Sequence, residues 1–454
     1  MPSDKRLAVF FRAIWFCRFC WYNKTTMEHI IKNYGENATT PLRRDALDIL
    51  EAGYNAILTK AAIHGTVDKN ERGILVSGEN IPFSGFERLF IVAIGKCAVD
   101  AGLALEEILG EHITDGIVLD MKPGRFNRIR SFVGTHPYPS TQNVAAVKEI
   151  VSMLSKLTER DLVITVISGG GSSLLSLPHE ISTDDLTKIT REIMDKSAPI
   201  SELNIVRKHL SDIQGGQLAK LAYPAKMVSL IFSDVPGNDL ATIASGPTVR
   251  DESTREEAES ILAKYDIRTV CGMSELETIE TPKDKKYFAN VKNHLIVTNV
   301  IALEAMKKKA EELGYKARIE NDRIQGVARE FGEELAKKEL SPKTCLLYGG
   351  ETTVHVVANP GVGGRNQEFV LGGLPHLKEG TVLVGASSDG KDYSDAGGAM
   401  GDKELFEKGI AAGLKSEDFL ATNNSFEYFK QTGGHIHTGP TGANVADLYF
   451  ILKS

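Results

Sequence analysis

Apolar positions along this chain fall into two spacings that take turns. Between Arg43 and His64, Leu47, Leu50, Tyr54, Ile57, Leu58 and Ala61 recur every three or four residues, which predicts an amphipathic helix packed against a sheet. Short continuous apolar runs then alternate with helical patterns. Leu89 to Ile94, Gly116 to Leu119, Leu162 to Ile167 and Met227 to Phe232 read as buried strands, with helices near 97–109, 141–157, 184–196 and 202–221. Such alternation predicts βαβ units and a mainly parallel sheet. From Asp251 to Asn293 the chain is charge-rich without apolar periodicity, so the domain boundary is expected near the end of that stretch. A second α/β series follows, with strands at His294 to Thr298, Thr344 to Tyr348, Val354 to Val357, Thr381 to Gly385 and Val445 to Leu452, and helices near 300–313, 325–338, 402–412 and 424–431. The expected class is therefore α/β, with a Rossmann-like N-terminal domain over residues 27–285 and a C-terminal α/β domain over residues 286–454.

Residues 1–26 do not match this pattern. Both tryptophans, Trp15 and Trp21, and two of the five cysteines, Cys17 and Cys20, lie there. The apolar run from Leu7 to Tyr22 contains Arg12 and Arg18 and is shorter than the ~20 residues of a spanning helix. Its arginines also interrupt any signal-peptide core, and no small-residue cleavage site follows. Cys17 and Cys20 have C-x-x-C spacing but no second pair and no strand-turn-helix context. The expectation is that translation begins at Met27, with a peripheral membrane anchor as the alternative.

Composition narrows the function classes. With 454 residues, 42% apolar and 25% charged, the chain is long enough for two or three domains and is neither disordered nor a polytopic membrane protein. Its 53 basic against 60 acidic residues give a net charge of −7, which argues against a general grip on nucleic acid or anionic lipid. The N-terminal extension is basic, so the rest of the chain is more acidic than this total. Five cysteines in such a length fit a reducing, cytoplasmic setting. Glycine numbers 42, above the ordinary share, and much of that excess closes strands.

Those strand ends carry the candidate chemistry, because ligands of open α/β sheets bind beyond the carboxyl ends of strands. Gly95-Lys96 leaves the first strand and enters a helix, where the dipole and backbone N–H groups favour an anion and Lys96 adds a point charge. Ser168-Gly169-Gly170-Gly171-Ser172-Ser173 ends another strand and reads as an anion cradle, the alternative being a flexible turn. Asp234 follows the strand ending at Phe232 and fits Mg²⁺, a substrate hydroxyl or a plain turn. Arg207, Lys208 and His209 place basic groups near a helix, with a solvated helical face as the default. In the second half, Gly349-Gly350-Glu351-Thr352 ends a strand, and Gly363-Gly364-Arg365-Asn366 opens a helix with a guanidinium suited to a carboxylate or phosphate. Asp389, Asp392 and Asp395 form a candidate hard-cation group. There is no G-x-x-x-x-G-K-[ST] and no strand-associated G-x-G-x-x-G followed by a ribose-binding acid, so a standard P-loop and a nicotinamide site both lose support. Zinc-hydrolase and α/β-hydrolase signatures are missing too. Anion corners with acidic groups fit phosphoryl transfer, which relies on positioning and charge neutralisation.

Together these blocks resemble the type-2 glycerate kinase family, whose C-terminal half is the MOFRL domain. The resemblance runs from about Arg43 to the C-terminus through Ala93 to Lys96, Thr135-His136-Pro137, Ser168 to Ser173, Val206 to Ser211, Ser233 to Gly237, Ser245 to Thr248, Gly349 to Glu351, Gly361 to Glu368 and Thr438 to Gly442. It implies two α/β domains facing a cleft and transfer of the γ-phosphoryl group of Mg·ATP to the 2-hydroxyl of glycerate. ATP and Mg²⁺ or another divalent cation would be required, glycerate and ATP would be the small-molecule partners, no nucleic acid or membrane partner is expected, and a homodimer is compatible with it. Lys96 and Arg365 match the family's functional Lys and Arg, which would neutralise the phosphoryl group and grip the glycerate carboxylate, in either assignment. Ser168 to Ser173, Arg207, Asp234 and Asn366 are the implied substrate or phosphate contacts, Gly349, Gly350, Glu351 and Thr352 the implied nucleotide contacts, and Asp389 and Glu351 the implied metal ligands. Where the family commonly reads Asp-Gly-x-Asp-Gly-Pro-Thr-Asp, this chain has Asp389-Gly-Lys-Asp392-Tyr-Ser-Asp395, which leaves Asp389 as the acid that carries over. Two rival classes are a hydroxypyruvate reductase-type oxidoreductase, a label often given to members of the family, and a non-catalytic phosphosugar-binding module.

Overall fold

The apolar runs become the central strands of two six-stranded sheets in the computed structural model, which describes residues 29–454 except Pro236. The expectations for residues 1–26 lie outside these residues. Two compact units are present, one of residues 62–296 and one of residues 29–61 with 297–454.

In the first unit a small antiparallel sheet of β1 (Val67–Asn70), β2 (Gly73–Val76) and β3 (Glu79–Pro82) precedes the main sheet. That sheet contains β4 (Arg88–Ile94), β5 (Ile113–Asp120), β6 (Arg130–Val133), β7 (Asp161–Ile167), β8 (Lys226–Phe232) and β9 (Val291–Val297), in the order β6-β5-β4-β7-β8-β9. The ladders joining β6 through β8 are all parallel. The chain therefore builds outward in one direction from β4 and in the other from β7, the doubly wound arrangement whose switch point lies between those two strands. Burial explains why these strands read as continuous apolar runs: every residue of β7 is buried, and so are Leu89 to Ile94. The Thr141–Leu154 helix covers one face through Ala146, Val147 and Ile150, while Gly102 lets the Ala98–Leu109 helix approach Val118, where a Cβ would come within 2.7 Å of Cγ2.

The charge-rich stretch after Asp251, which shows no apolar periodicity in the sequence, holds the Arg255–Lys264 and Ile267–Cys271 helices, which pack Ile261, Leu262 and Ile267 against Ile189, Ile193 and Leu203. Thr254 and Glu257 form a reciprocal capping box at its first helix. The strand near His294 belongs to the edge of the first sheet as β9 and does not open the second. The helix expected over 202–221 also divides, into Ile200–His209 and Gln217–Ala222, with Gly215 and Gly216 at φ 58° and 87° between them.

The second unit contains β10 (Lys316–Ile324), β11 (Thr344–Gly350), β12 (Thr381–Ser387), β13 (Gly398–Asp402), β14 (His435–Ile436) and β15 (Asp447–Lys453), in the order β10-β11-β15-β12-β13-β14. Only the β10–β11 ladder is parallel, and the other ladders are antiparallel. The amphipathic helix, Pro41–Ile57, groups with this unit. Thr40 caps it with Pro41 at the first helical position, and Leu47, Leu50 and Tyr54 on its apolar face are buried. Gly53 admits Met306 of the Asn299–Glu312 helix, and the Tyr54 hydroxyl donates to the Ser387 carbonyl at 2.9 Å. Val354 to Val357 form a loop with Val356 exposed, so that apolar run is not a strand. Among the described residues no helix is long and apolar enough to cross a membrane.

Candidate functional site

The switch point of the first unit brings together the two loops that leave β4 and β7. Gly95 lies at φ 118°, and a Cβ there would fall 2.1 Å from the Ser168 hydroxyl oxygen, so only glycine lets the loops meet this closely. Lys96 N–H donates to the Gly169 carbonyl at 3.0 Å and Ser168 N–H to the Ile94 carbonyl at 3.0 Å. The Ser168 hydroxyl is buried and used internally, donating to Ile94 O and accepting from Cys97 N–H. Asp120 anchors the helix after Lys96 by accepting from Val99 N–H at 2.9 Å. Burial raises the Asp120 pKa, against the lowering effect of that bond.

This scaffold leaves Lys96 exposed, with no hydrogen-bond or ion-pair partner among the described residues. The backbone N–H groups of Gly169, Gly170 and Ser172 likewise donate to nothing there, whereas those of Gly171 and Ser173 close the turn onto Ser168 and Gly170 carbonyls. The serine hydroxyls are occupied: Ser172 pairs with Ser245 at 3.0 Å and Ser173 donates to the Pro137 carbonyl at 2.5 Å. The loop is thus an anion cradle of backbone donors beside an ammonium, not a row of free hydroxyls. Asp234 flanks it, because a Cβ on Gly169 would lie 2.3 Å from the Asp234 carboxylate. Arg207, at the end of its helix, is half-buried and has no ion-pair partner among the described residues; burial lowers its pKa, yet a guanidinium stays charged. Lys208, by contrast, is buried in an ion pair with Asp251 at 3.0 Å and is structural.

Two residues at this centre escaped assignment from the sequence. A Cβ on Gly170 would meet His136 Cδ2 at 3.2 Å and Lys96 Cγ at 3.3 Å, so imidazole and ammonium stem close on the same glycine. Asn143 fixes this arrangement: fully buried, it donates to the Thr135 and Ser173 carbonyls at 3.0 and 2.9 Å and accepts from Thr135 N–H at 2.9 Å. The Thr135-His136-Pro137 block was the available signal for His136, but nothing in the sequence pointed to Asn143.

The second unit has its own cationic centre at the start of the Arg365–Gly373 helix. Asp392 caps that helix, accepting from Asn366 N–H at 3.1 Å and Gln367 N–H at 2.9 Å and from both side-chain amides. Gly364 admits it, since a Cβ there would lie 2.2 Å from Asp392 Oδ1. Complete burial and then the nearby Asp447 push the Asp392 pKa up to about 6, against these donors. Arg365 spans two acids: its Nε and Nη2 face buried Asp447, and Nη1 meets half-exposed Glu351 at 2.9 Å. Burial works against the charge, but Asp447 and then Glu351 raise its pKa and hold the guanidinium protonated. The Tyr449 hydroxyl donates to Asp447 at 3.0 Å and pairs with Thr352 at 2.8 Å.

The other residues read from sequence divide between packing and chemistry. Gly349 and Gly350 end β11 inside the sheet, and a Cβ on Gly350 would meet Ile324 backbone at 2.3 Å; with buried Thr352 they are packing positions, leaving Glu351 accessible. Asn366 is buried, with its Oδ1 unpaired among the described residues. Asp392 is buried in its cap and Asp395 is exposed apart from it. Asp389 is half-buried, with Oδ1 taken by the Ser387 hydroxyl and Lys391 N–H and Oδ2 making no hydrogen bond among the described residues. No three His, Cys, Asp or Glu side chains converge as a metal cluster among those residues. Mg²⁺ commonly needs only one or two protein carboxylates beside water and phosphate oxygens, so the Asp389 carboxylate fits such an ion.

Fold and site together define a doubly wound α/β protein with a lysine-and-glycine anion centre at the switch point, joined in one chain to a mixed-sheet unit carrying an arginine centre. Residues 45–276 match the domain of unknown function DUF4147 and residues 344–447 match the MOFRL family. The chain is 36% identical over 442 residues to a glycerate 2-kinase of Pyrococcus horikoshii, covering 90% of this chain and 98% of that protein. It is 35% identical over 391 residues to a putative hydroxypyruvate reductase of Agrobacterium vitis, covering 82% and 89%. The crystal structure of glycerate kinase from Thermotoga maritima matches with a TM-score of 0.81 at 33% identity, over 90% of this chain and 99% of that one. The chain belongs to the glycerate 2-kinase family.

Proposed function

We propose that this protein transfers the γ-phosphoryl group of ATP to the 2-hydroxyl of glycerate, giving 2-phosphoglycerate and ADP. The observation that carries the reading is the switch-point centre, where among the described residues Lys96 is unpaired beside the unengaged N–H groups of Gly169, Gly170 and Ser172. A transferring phosphoryl group spreads negative charge over its equatorial oxygens, and preorganised donors with one ammonium suit that charge. Lys96 and the cradle neutralise the phosphoryl group. Arg207, without an ion-pair partner among the described residues, offers a guanidinium to the acceptor or phosphate, and Asp234 an acceptor for a substrate hydroxyl. In the second unit Arg365, its fork oriented by buried Asp447, offers Nη1 to a substrate carboxylate or phosphate oxygen in exchange for half-exposed Glu351. Asp389 would hold the divalent cation, which supplies charge neutralisation to the nucleotide phosphates.

The relatives' printed kinase names agree with this chemistry, and the chain shows no dinucleotide fingerprint to support the reductase name. Buried free thiols at Cys271 and Cys345 support a cytoplasmic setting, and a homodimer remains part of the proposal as the assembly to test by light scattering. The discriminating experiment supplies the purified full chain with ATP, Mg²⁺ and D-glycerate in one reaction and NADH with hydroxypyruvate in another. ADP formation in the first without NADH oxidation in the second is the expected result. NADH oxidation without ADP formation would replace the kinase by the oxidoreductase, and a chain inactive in both would favour the binding module.

A further inference from the structure

Building on the kinase reading, we propose that His136 takes the proton from the glycerate hydroxyl as that oxygen attacks the phosphoryl group. The geometry carries this assignment. His136 and Lys96 approach Gly170 from within 3.2 and 3.3 Å of the position a Cβ would occupy, so the imidazole borders the same cradle that receives the anion. The ring is half-buried and has no hydrogen-bond partner among the described residues, which leaves a nitrogen lone pair for a ligand. Its loop is held by buried Asn143, which ties the carbonyls of Thr135 and Ser173 together, while the Ser173 hydroxyl fixes the Pro137 carbonyl. Such bracing is what a proton acceptor needs to stay within reach of one hydroxyl.

The charges around the ring agree. Burial and then the Lys96 ammonium lower the imidazole pKa below 6.5, so the ring is neutral and able to accept a proton at ordinary pH. Asp234 faces the cradle across Gly169, and Arg191 stacks on Tyr138 at 4.3 Å two residues along the loop. In the step itself the glycerate O–H bond breaks and its proton moves to the imidazole. The freed oxygen pair forms the bond to the γ-phosphorus, and the bond from that phosphorus to the bridging oxygen breaks with its electrons leaving on ADP. Water then takes the proton from the imidazolium.

The test uses the full chain and its His136→Asn and His136→Gln variants, with initial rates measured from about pH 5 to about pH 8.5, a range that spans histidine titration. Loss of proton acceptance is expected to lower kcat by ~10²-fold or more, with KM for both substrates changed by less than about threefold. The fall of kcat/KM on the acid side, present in the wild type, should disappear in the variants. A variant with kcat within about threefold of wild type, or one that keeps the acid limb unmoved, overturns the assignment. As a measurement independent of those variants, the His136 ring resonances should titrate below 6.5 in the wild type and move upward in Lys96→Met; an unmoved midpoint overturns it as well. A wild type that forms no phosphoglycerate overturns the kinase reading and this inference together, whereas an active wild type with indifferent His136 variants overturns this inference alone.

Discussion

Lys96 and Arg365 hold the same formal charge in opposite circumstances, and this contrast decides what each can do. Among the described residues Lys96 stands unpaired beside backbone donors, while Arg365 is held by Asp447 and Glu351. Lys96→Ala and Arg365→Ala are each expected to reduce kcat by ~10²-fold or more in the ATP-coupled assay, because each removes charge stabilisation that grows toward the transition state. Retention of full activity by both would remove the proposed site. Asp392 gives a prediction about stability. Its folded pKa of about 6 lies above the ordinary 3.8, so the folded protein binds the extra proton and the resulting stabilisation is present below 3.8 and lost as pH rises through about 6. In urea titrations the stability of the wild type relative to Asp392→Asn should therefore fall between those pH values; a constant difference would show that the carboxyl does not titrate there. Lys96 was legible in the sequence because a glycine and a lysine follow a buried strand. Asp447 was not, since its partnership with Arg365 depends on antiparallel pairing of β15 with β11 and β12, which no local pattern encodes.

Elements with fully buried apolar runs, β4, β7, β8 and β12, were readable because both faces are covered. Edge elements were not: β6 reads Arg-Ser-Phe-Val and β10 is largely polar and exposed, so neither shows the signal of a buried strand. The reverse error occurred at Val354 to Val357, where an apolar run lies in a loop. The Arg255–Lys264 helix was hidden by its charge, although Thr254 and Glu257 supplied a capping signal. At the switch point the junction of β4 and β7 depends on Gly95. Gly95→Ala places a Cβ on the Ser168 hydroxyl at φ 118°, and a loss of about 2 kcal/mol or more is expected from strain and overlap. Thermal unfolding checks this, and an unchanged midpoint would mean that the two loops do not meet as described.

For the whole molecule, the sequence conveyed the α/β class and the mainly parallel first sheet, while contacts group residues 29–61 with the C-terminal unit. The Pro41–Ile57 helix packs on the C-terminal unit, a long-range choice set by the fit of Gly53 to Met306 and of Tyr54 to Ser387. Chemistry was legible as strand-end glycines with cations, and His136 lay within the Thr135-His136-Pro137 block, while the bracing residue Asn143 emerged only from packing. The central claim is the reaction, and the phosphorus spectrum of its product tests it most directly. With ATP, Mg²⁺ and D-glycerate, the protein should form 2-phosphoglycerate, whose phosphorus couples to a single carbinol proton and appears as a doublet. A triplet, as given by phosphate on the CH₂ oxygen of 3-phosphoglycerate, or no new phosphorus resonance at all, would contradict the account.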